Sequence, residues 1–151
     1  MKFLTIILDA GPLGMVSNPK GSAETLACKE WFRQALTTGH RVVIPEIADY
    51  EVRRELLRAG KTRGLKRLDD LTQALEYLPL STAAMRKAAE FWAIARNQGT
   101  PTSPALALDG DVILAAQASL IDPLGGQVIV ATTNVDHLSL FVDAREWRKI
   151  K

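Results

Sequence analysis

Apolar residues along this chain follow two spacings: short uninterrupted runs, and longer stretches in which they recur every three or four positions. Phe3-Leu4-Thr5-Ile6-Ile7-Leu8, Arg41-Val42-Val43-Ile44 and Gln127-Val128-Ile129-Val130-Ala131-Thr132 belong to the first kind. They are β-branched and almost wholly apolar, the pattern of strands buried on both faces of a parallel sheet. Between them the helical spacing takes over. Ser22 is predicted to cap a helix running to about Thr37, with Gly39 just past its end and Leu26, Trp31, Phe32 and Leu36 as its apolar face. Pro45 suits the first turn of a second helix that reaches Gly60 and carries Ile47, Tyr50, Val52, Leu56 and Leu57. Residues 76–80 read as a short extended segment. Ser81 or Thr82 then caps a long helix ended by Gly99, in which Met85, Ala88, Ala89, Trp92 and Ala95 are core positions.

Residues 100–104, Thr-Pro-Thr-Ser-Pro, form a stiff loop in which a lid or substrate loop is expected. Asp109-Gly110-Asp111 stands immediately ahead of the apolar run Val112-Ile113-Leu114-Ala115-Ala116-Gln117-Ala118. The run reads as a buried helix, with Asp109 as N-cap and Asp111 in the first turn, where free N–H groups favour an anion. Residues 122–126 are a turn, and the chain closes with a short helix or turn and a last edge strand around Trp147. The alternation of strands and helices defines a single α/β domain over residues 1–151 with a mostly parallel sheet.

Composition narrows the class. A chain of 151 residues is the size of one domain and buries roughly two thirds of its unfolded surface. With 47% hydrophobic and 24% charged residues it is not globally disordered. The net charge of +2 does not by itself identify a nucleic-acid binder. The single cysteine, Cys28, excludes a disulfide framework and a cysteine-built zinc site, and reads as a small apolar residue on a helix face. No apolar run approaches a membrane span, and the opening segment turns acidic too soon for a signal peptide, so the expected compartment is the cytoplasm with no membrane partner.

The chemistry lies in the acidic residues. Asp9 ends the first strand, and Ala10-Gly11-Pro12-Leu13-Gly14 after it reads as a turn or loop. Its carboxylate therefore either closes the strand by accepting turn hydrogen bonds or sits at the carboxyl edge, where open α/β sheets place their ligands. Glu51 and Glu55 share a helix face; pairing with Arg54 and Arg58 would make both surface contacts worth about 0.2–0.5 kcal/mol. Glu51 is the nearer of the two to the sheet edge. Asn134 and Asp136 follow the last buried strand. Asp9, Asp111 and the Asn134/Asp136 pair thus fall at one edge, and Glu51 approaches it from a neighbouring helix. Two carboxylates about 4 Å apart repel by about 4 kcal/mol at an effective dielectric near 20, so the arrangement asks for cations. Oxygen ligands without cysteine or paired histidines select Mg²⁺ or Mn²⁺ over Zn²⁺ and suit metal-assisted attack of water on a phosphodiester. A second asymmetry runs from Arg53 to Arg67, where Arg53, Arg54, Arg58, Lys61, Arg63, Lys66 and Arg67 surround one acid, Glu55. It reads either as a track for a phosphate backbone or as a solvated face.

The segments Ile7-Leu8-Asp9-Ala10-Gly11-Pro12-Leu13, Tyr50-Glu51-Val52, Asp111-Val112-Ile113-Leu114-Ala115-Ala116 and Val130-Ala131-Thr132-Thr133-Asn134-Val135-Asp136-His137-Leu138 together resemble the PIN domain, and within it VapC-type toxins, the ribonuclease half of bacterial toxin–antitoxin pairs. The resemblance implies a three-layer α/β/α fold around a mostly parallel sheet of about four or five strands. It also implies a metal-dependent endoribonuclease acting on RNA, usually a homodimer, and restrained by a cognate antitoxin. By position, Asp9, Glu51 and Asp111 match the acidic ligands: Asp9 and Asp111 hold Mg²⁺ or Mn²⁺, and Glu51 completes the shell or orients the attacking water. Asn134 occupies the place that often bears the last acid, with Asp136 two residues on; either fixes a second metal or a metal-bound water. Thr132 orients its neighbours, Arg53 and Arg54 are candidates for holding RNA, and His137 is a structural loop residue. Two other readings remain: an inactive module of the same fold binding RNA or a protein partner, and a phosphatase using Asp9 as phospho-acceptor. Gly11, where the phosphatase would need a second Asp, speaks against the latter.

Overall fold

The computed structural model describes residues 3–98 and 105–151; the expected loop at 100–104, and Gly99, lie outside the described residues. Its strands are β1 (Leu4–Leu8), β2 (Arg41–Pro45), β3 (Glu76–Leu78), β4 (Gln127–Thr132) and β5 (Ala144–Glu146). They form one five-stranded sheet of order β3-β2-β1-β4-β5 in which every neighbouring pair is parallel. The helices are α1 (Ala10–Ser17), α2 (Ala23–Thr38), α3 (Glu46–Arg58), α4 (Thr62–Ala74), α5 (Thr82–Asn97) and α6 (Ala105–Leu120).

Because strand side chains alternate between faces, each strand feeds two cores. Ile6, Leu8, Val42, Ile44, Ile129 and Ala131 pack on one side against Leu13 of α1, Cys28 of α2, Val52 of α3 and Leu68 of α4. Ile7, Val43 and Val130 pack on the other against Phe91 of α5 and Leu114 and Ala115 of α6. The result is the three-layer α/β/α arrangement with a parallel sheet expected from the sequence. Arg41 fastens one side of the sheet: its guanidinium donates to both carboxylate oxygens of Glu76 on the outer strand β3, at 2.7 and 2.6 Å, and to the Asp122 carbonyl at 2.6 Å.

Several elements differ from the sequence reading, each for a physical reason. Residues 10–14 are not a loop but the opening of α1, capped by the Asp9 side chain. Pro12 is tolerated because N–H groups of the first helical turn have no intrahelical partner to lose. Helix α2 has the expected caps, Ser22 accepting from the Thr25 N–H and Gly39 in the left-handed region at φ 93°, but its buried face is Thr25, Cys28 and Ala35. Leu26 and Leu36 are exposed, while Trp31 and Phe32 only border the core. In α5 the buried positions are Ala84, Ala88 and Phe91, and Met85 and Trp92 remain 46% and 38% exposed. The last strand ends at Glu146, and Trp147 opens a short 3-10 turn, Trp147–Lys149.

The largest correction concerns α6. It begins at Ala105, so Asp109 is not its N-cap and Asp111 is not in its first turn. Ala105, Leu106, Ala107 and Leu108 are strong helix formers, and they carry the helix through Asp109 and Gly110 despite the poor propensity of both. The buried Gln117 locks α6 in place: its Oε1 accepts from the Ile47 N–H at 3.3 Å and its Nε2 donates to the Leu78 carbonyl at 2.9 Å. One polar side chain thereby satisfies an orphan N–H at the start of α3 and fixes the rotation of the helix that carries Asp111.

Candidate active site

In the strand order, the chain winds from β1 toward β2 and β3 on one side and returns through β4 and β5 on the other. Such a switch point opens a crevice beyond the carboxyl ends of the two central strands. Asp9 stands there. Its N–H donates to the Ala131 carbonyl at 3.0 Å, continuing the β1–β4 ladder by one residue. Its Oδ1 accepts from the Ala10 N–H at 2.7 Å, and its Oδ2 accepts from the Thr132 hydroxyl at 2.7 Å. Thr132 is fully buried, and its oxygen also accepts from the Asn134 N–H at 3.1 Å. One hydroxyl therefore fixes both the carboxylate at the end of β1 and the loop leaving β4.

Glu51 comes to the crevice from α3 and Asp111 from α6. Burial raises the Asp9 carboxyl above its ordinary range, against hydrogen bonds from Thr132 and Ala10. Burial, then the charge of Asp9 and, more weakly, that of Asp111, raise Glu51 against the opposing pull of Arg54. Burial and then Asp9 push Asp111 up to about 6, against the favourable influence of His137. Three carboxylates from three elements thus act on one another in a partly desolvated site. Among the described residues, however, no three Asp, Glu, His or Cys side chains stand close enough together to cage an ion as they are placed.

The other expected site residues are placed differently. Asn134 is exposed and turns its Oδ1 back to accept from the Asp136 N–H at 3.1 Å, closing an Asx turn in its own loop. Asp136 is exposed on that loop. Arg53 is engaged by Asp49 and Asp69 at 3.0 and 2.7 Å. Arg54 lies over the Tyr50 ring, 5.1 Å from its centroid. Glu55 pairs with Arg58 at 2.9 Å, the surface contact the helical spacing suggested.

Gly110 is the site residue that the sequence reading left out. A Cβ built there would stand 3.1 Å from Glu51 Oε2 and 3.3 Å from Oε1, so the α6 backbone forms the wall against which the Glu51 carboxylate rests. A glycine inside a helix is the one available signal, since it costs about 1 kcal/mol relative to alanine and needs a packing reason. Gly110→Ala is expected to displace the Glu51 carboxylate and reduce the activity proposed below, while leaving the melting temperature unchanged or higher because alanine favours the helix. Activity assays alongside thermal melts check this; full activity would show that the contact does not matter.

The PIN domain family profile matches residues 6–134, and the chain belongs to the PIN domain family. Among solved structures, VapBC2 from Rickettsia felis, bound to a DNA fragment from its promoter, is similar with a TM-score of 0.68 at 14% identity, over 95% of this chain and 98% of that one. FitAcB from Neisseria gonorrhoeae gives 0.64 at 19% identity, over 96% and 99%. DNA-bound VapBC from Salmonella typhimurium gives 0.64 at 21% identity, also over 96% and 99%. At these identities the likeness is one of fold. Comparison with curated proteins finds no match.

Proposed function

We propose that this chain is a Mg²⁺- or Mn²⁺-dependent endoribonuclease of the PIN family, acting as the toxin of a toxin–antitoxin pair. The observation that carries the reading is the set of three carboxylates, Asp9, Glu51 and Asp111, whose proton affinities are all raised by burial, those of Glu51 and Asp111 further by the charge of Asp9. Such a group is unfavourable unless a cation neutralises it, and its all-oxygen chemistry fits a hard divalent ion. Asp9 and Asp111 would hold that ion, with Glu51 beside them, and the ion would supply Lewis acidity and an acidified water. Thr132 holds Asp9 in one rotamer, and the wall at Gly110 limits where the Glu51 carboxylate can go. Asn134 or Asp136 would serve the same edge only after a change in the loop that carries them.

RNA would enter from the side of α3 and α4. A groove of about 490 Å³ between the end of α1 and the α3–α4 turn is lined by Lys20, Lys61 and Arg63, cations suited to phosphate. Arg53 and Lys66 are taken up by nearby carboxylates, so this part of the basic run serves as a solvated face. The neighbouring VapBC structures support an antitoxin partner. The exposed apolar residues Met85 and Trp92, beside a shallow groove lined by Val112 and Ile113, support a second copy of the chain as a further one.

One observation favours an alternative, a catalytically weak PIN module that binds RNA or a protein: among the described residues no three acidic, His or Cys side chains are placed to hold a metal ion together. Incubating the purified protein with structured and single-stranded RNA, in EDTA and in Mg²⁺ or Mn²⁺, separates the two. Cleavage only with the metal is expected. RNA retention without cleavage in either metal would establish the binding module instead.

A further inference from the structure

Three aromatic side chains are well exposed among the described residues: Phe3 ahead of β1, Trp92 on α5 and Tyr50 on α3. Tyr50 is the one that adjoins a carboxylate of the acidic crevice in the chain, because the next residue is Glu51. It is 56% exposed, and the core beneath this part of α3 is supplied by Ile47, Ala48 and Val52 instead. Arg54 lies one helical turn beyond both residues, at i+4 from Tyr50 and i+3 from Glu51. It acts on each of them. Its guanidinium stands over the Tyr50 ring, 5.1 Å from the centroid, and its charge draws the Glu51 carboxyl down against burial. Ring, cation and carboxylate therefore occupy neighbouring places at the rim of the crevice.

The other two arginines of α3 are used differently. Arg53 is held by Asp49 and Asp69, and Arg58 by Glu55. Arg54 is exposed and lies over an aromatic face. An arginine so placed keeps its charge available to a phosphate, while the exposed part of the ring offers an apolar plane to a base. These are the two contacts by which proteins hold single-stranded nucleic acid without reading its sequence. Inside a duplex each base is covered by its neighbours in the stack, so a ring of this kind takes a base from an unpaired nucleotide.

We infer that Tyr50 and Arg54 form a subsite for one unpaired nucleotide beside the acidic crevice, the ring stacking on its base and the guanidinium holding its phosphate. This makes single-stranded RNA, rather than duplex, the substrate class of the site. The inference rests on the proposed RNA substrate, but not on its cleavage.

The test is fluorescence anisotropy of the full chain with a short labelled oligoadenylate, free and annealed to oligouridylate, beside cleavage kinetics of the same strand in Mg²⁺. Tighter binding of the free strand is expected. Tyr50→Ala is expected to weaken it about tenfold, as loss of one base–aromatic stack does, and Tyr50→Phe to restore most of the loss. In cleavage, KM should rise with kcat little changed, because stacking holds ground state and transition state alike. Arg54→Gln should lower the slope of log affinity against log salt by about 1. Leu57→Ala, which removes another exposed apolar side chain from α3, is the control and should leave binding as it is. Binding and cleavage that both survive Tyr50→Ala would overturn the subsite and leave the nuclease reading intact. Equal binding of duplex, or equal weakening by Leu57→Ala, would overturn it too. Absence of cleavage, with strand binding that still depends on Tyr50, would sink the nuclease reading and leave the subsite standing.

Discussion

Asp111→Asn is expected to abolish metal-supported RNA cleavage and, in the same molecule, to raise the melting temperature of the metal-free protein. The two effects have one cause. Asp111 is partly buried on α6 and its carboxyl is pushed up to about 6, first by burial and then by Asp9. An amide there removes a charge that the fold disfavours, so the unliganded protein gains. It also removes an oxygen anion from the proposed metal site, and a loss of at least about 10²-fold is expected, since even groups that only support a metal ligand cost 10–100-fold. Asp9→Asn should behave alike in activity, but its stability gain is smaller, because Asp9 already accepts from Thr132 and from the Ala10 N–H. Cleavage assays in Mg²⁺ and melts in EDTA measure both sides. Retained activity in both variants would sink the nuclease assignment; lost activity without any stabilisation would mean that the carboxylates do not strain the fold.

The metal-free protein is expected to become less stable as pH rises from about 4 to about 7. In the unfolded chain a free Asp titrates near 3.9, whereas Asp111 in the folded protein titrates at about 6. Between those values the folded state holds a proton that the unfolded state has released. Stability contributed by this protonation is therefore full below about 4 and gone once pH passes about 6. Asp9 and Glu51 are raised as well and add in the same sense. Divalent metal reverses the trend, because it replaces the proton as the neutralising charge. At about a hundred times its dissociation constant, a ligand specific to the folded state stabilises by about 2.7 kcal/mol. For a domain of this size each kcal/mol moves the midpoint by about 2–4 °C, so a rise of about 5–10 °C is expected near neutrality and little at pH 5. Paired melts in EDTA and Mg²⁺ across this range test it. A metal effect that does not grow with pH would count against the three carboxylates as the binding group.

How much of this was legible beforehand depends on which force decides each element. The buried strands were plain because uninterrupted β-branched runs have few alternatives, and their order in the chain already implied a parallel sheet with Asp9 at its carboxyl edge. Helix starts were misread where glycine, proline and aspartate stood together. At residues 10–14 those residues looked like a turn, yet Gly11 is small because Thr133 presses on it, a Cβ there meeting its side chain at 2.8 Å. At 109–111 the same inference put a helix start in the middle of α6, where Gly110 instead makes room for Glu51. Tertiary contact selected both glycines, and single-sequence patterning does not register a partner forty or more residues away. The face of α2 failed for a related reason: the core accepts Cys28 and Ala35 because the sheet comes close, which leaves larger neighbours such as Leu26 outside.

The central pairing of β1 with β4 joins the first strand to one that begins more than a hundred residues later, with Leu4 opposite Gln127 and Leu8 opposite Ala131. Asp9 acquires its partner Thr132 only when that late strand has docked. During synthesis, a chain still lacking β4 has its first carboxylate but neither the crevice that shelters it nor the hydroxyl that orients it. Closing so long a loop is a late event in folding. Whatever chemistry the crevice performs therefore begins only after the ribosome has made β4, and premature termination anywhere before residue 132 yields a fragment without the site.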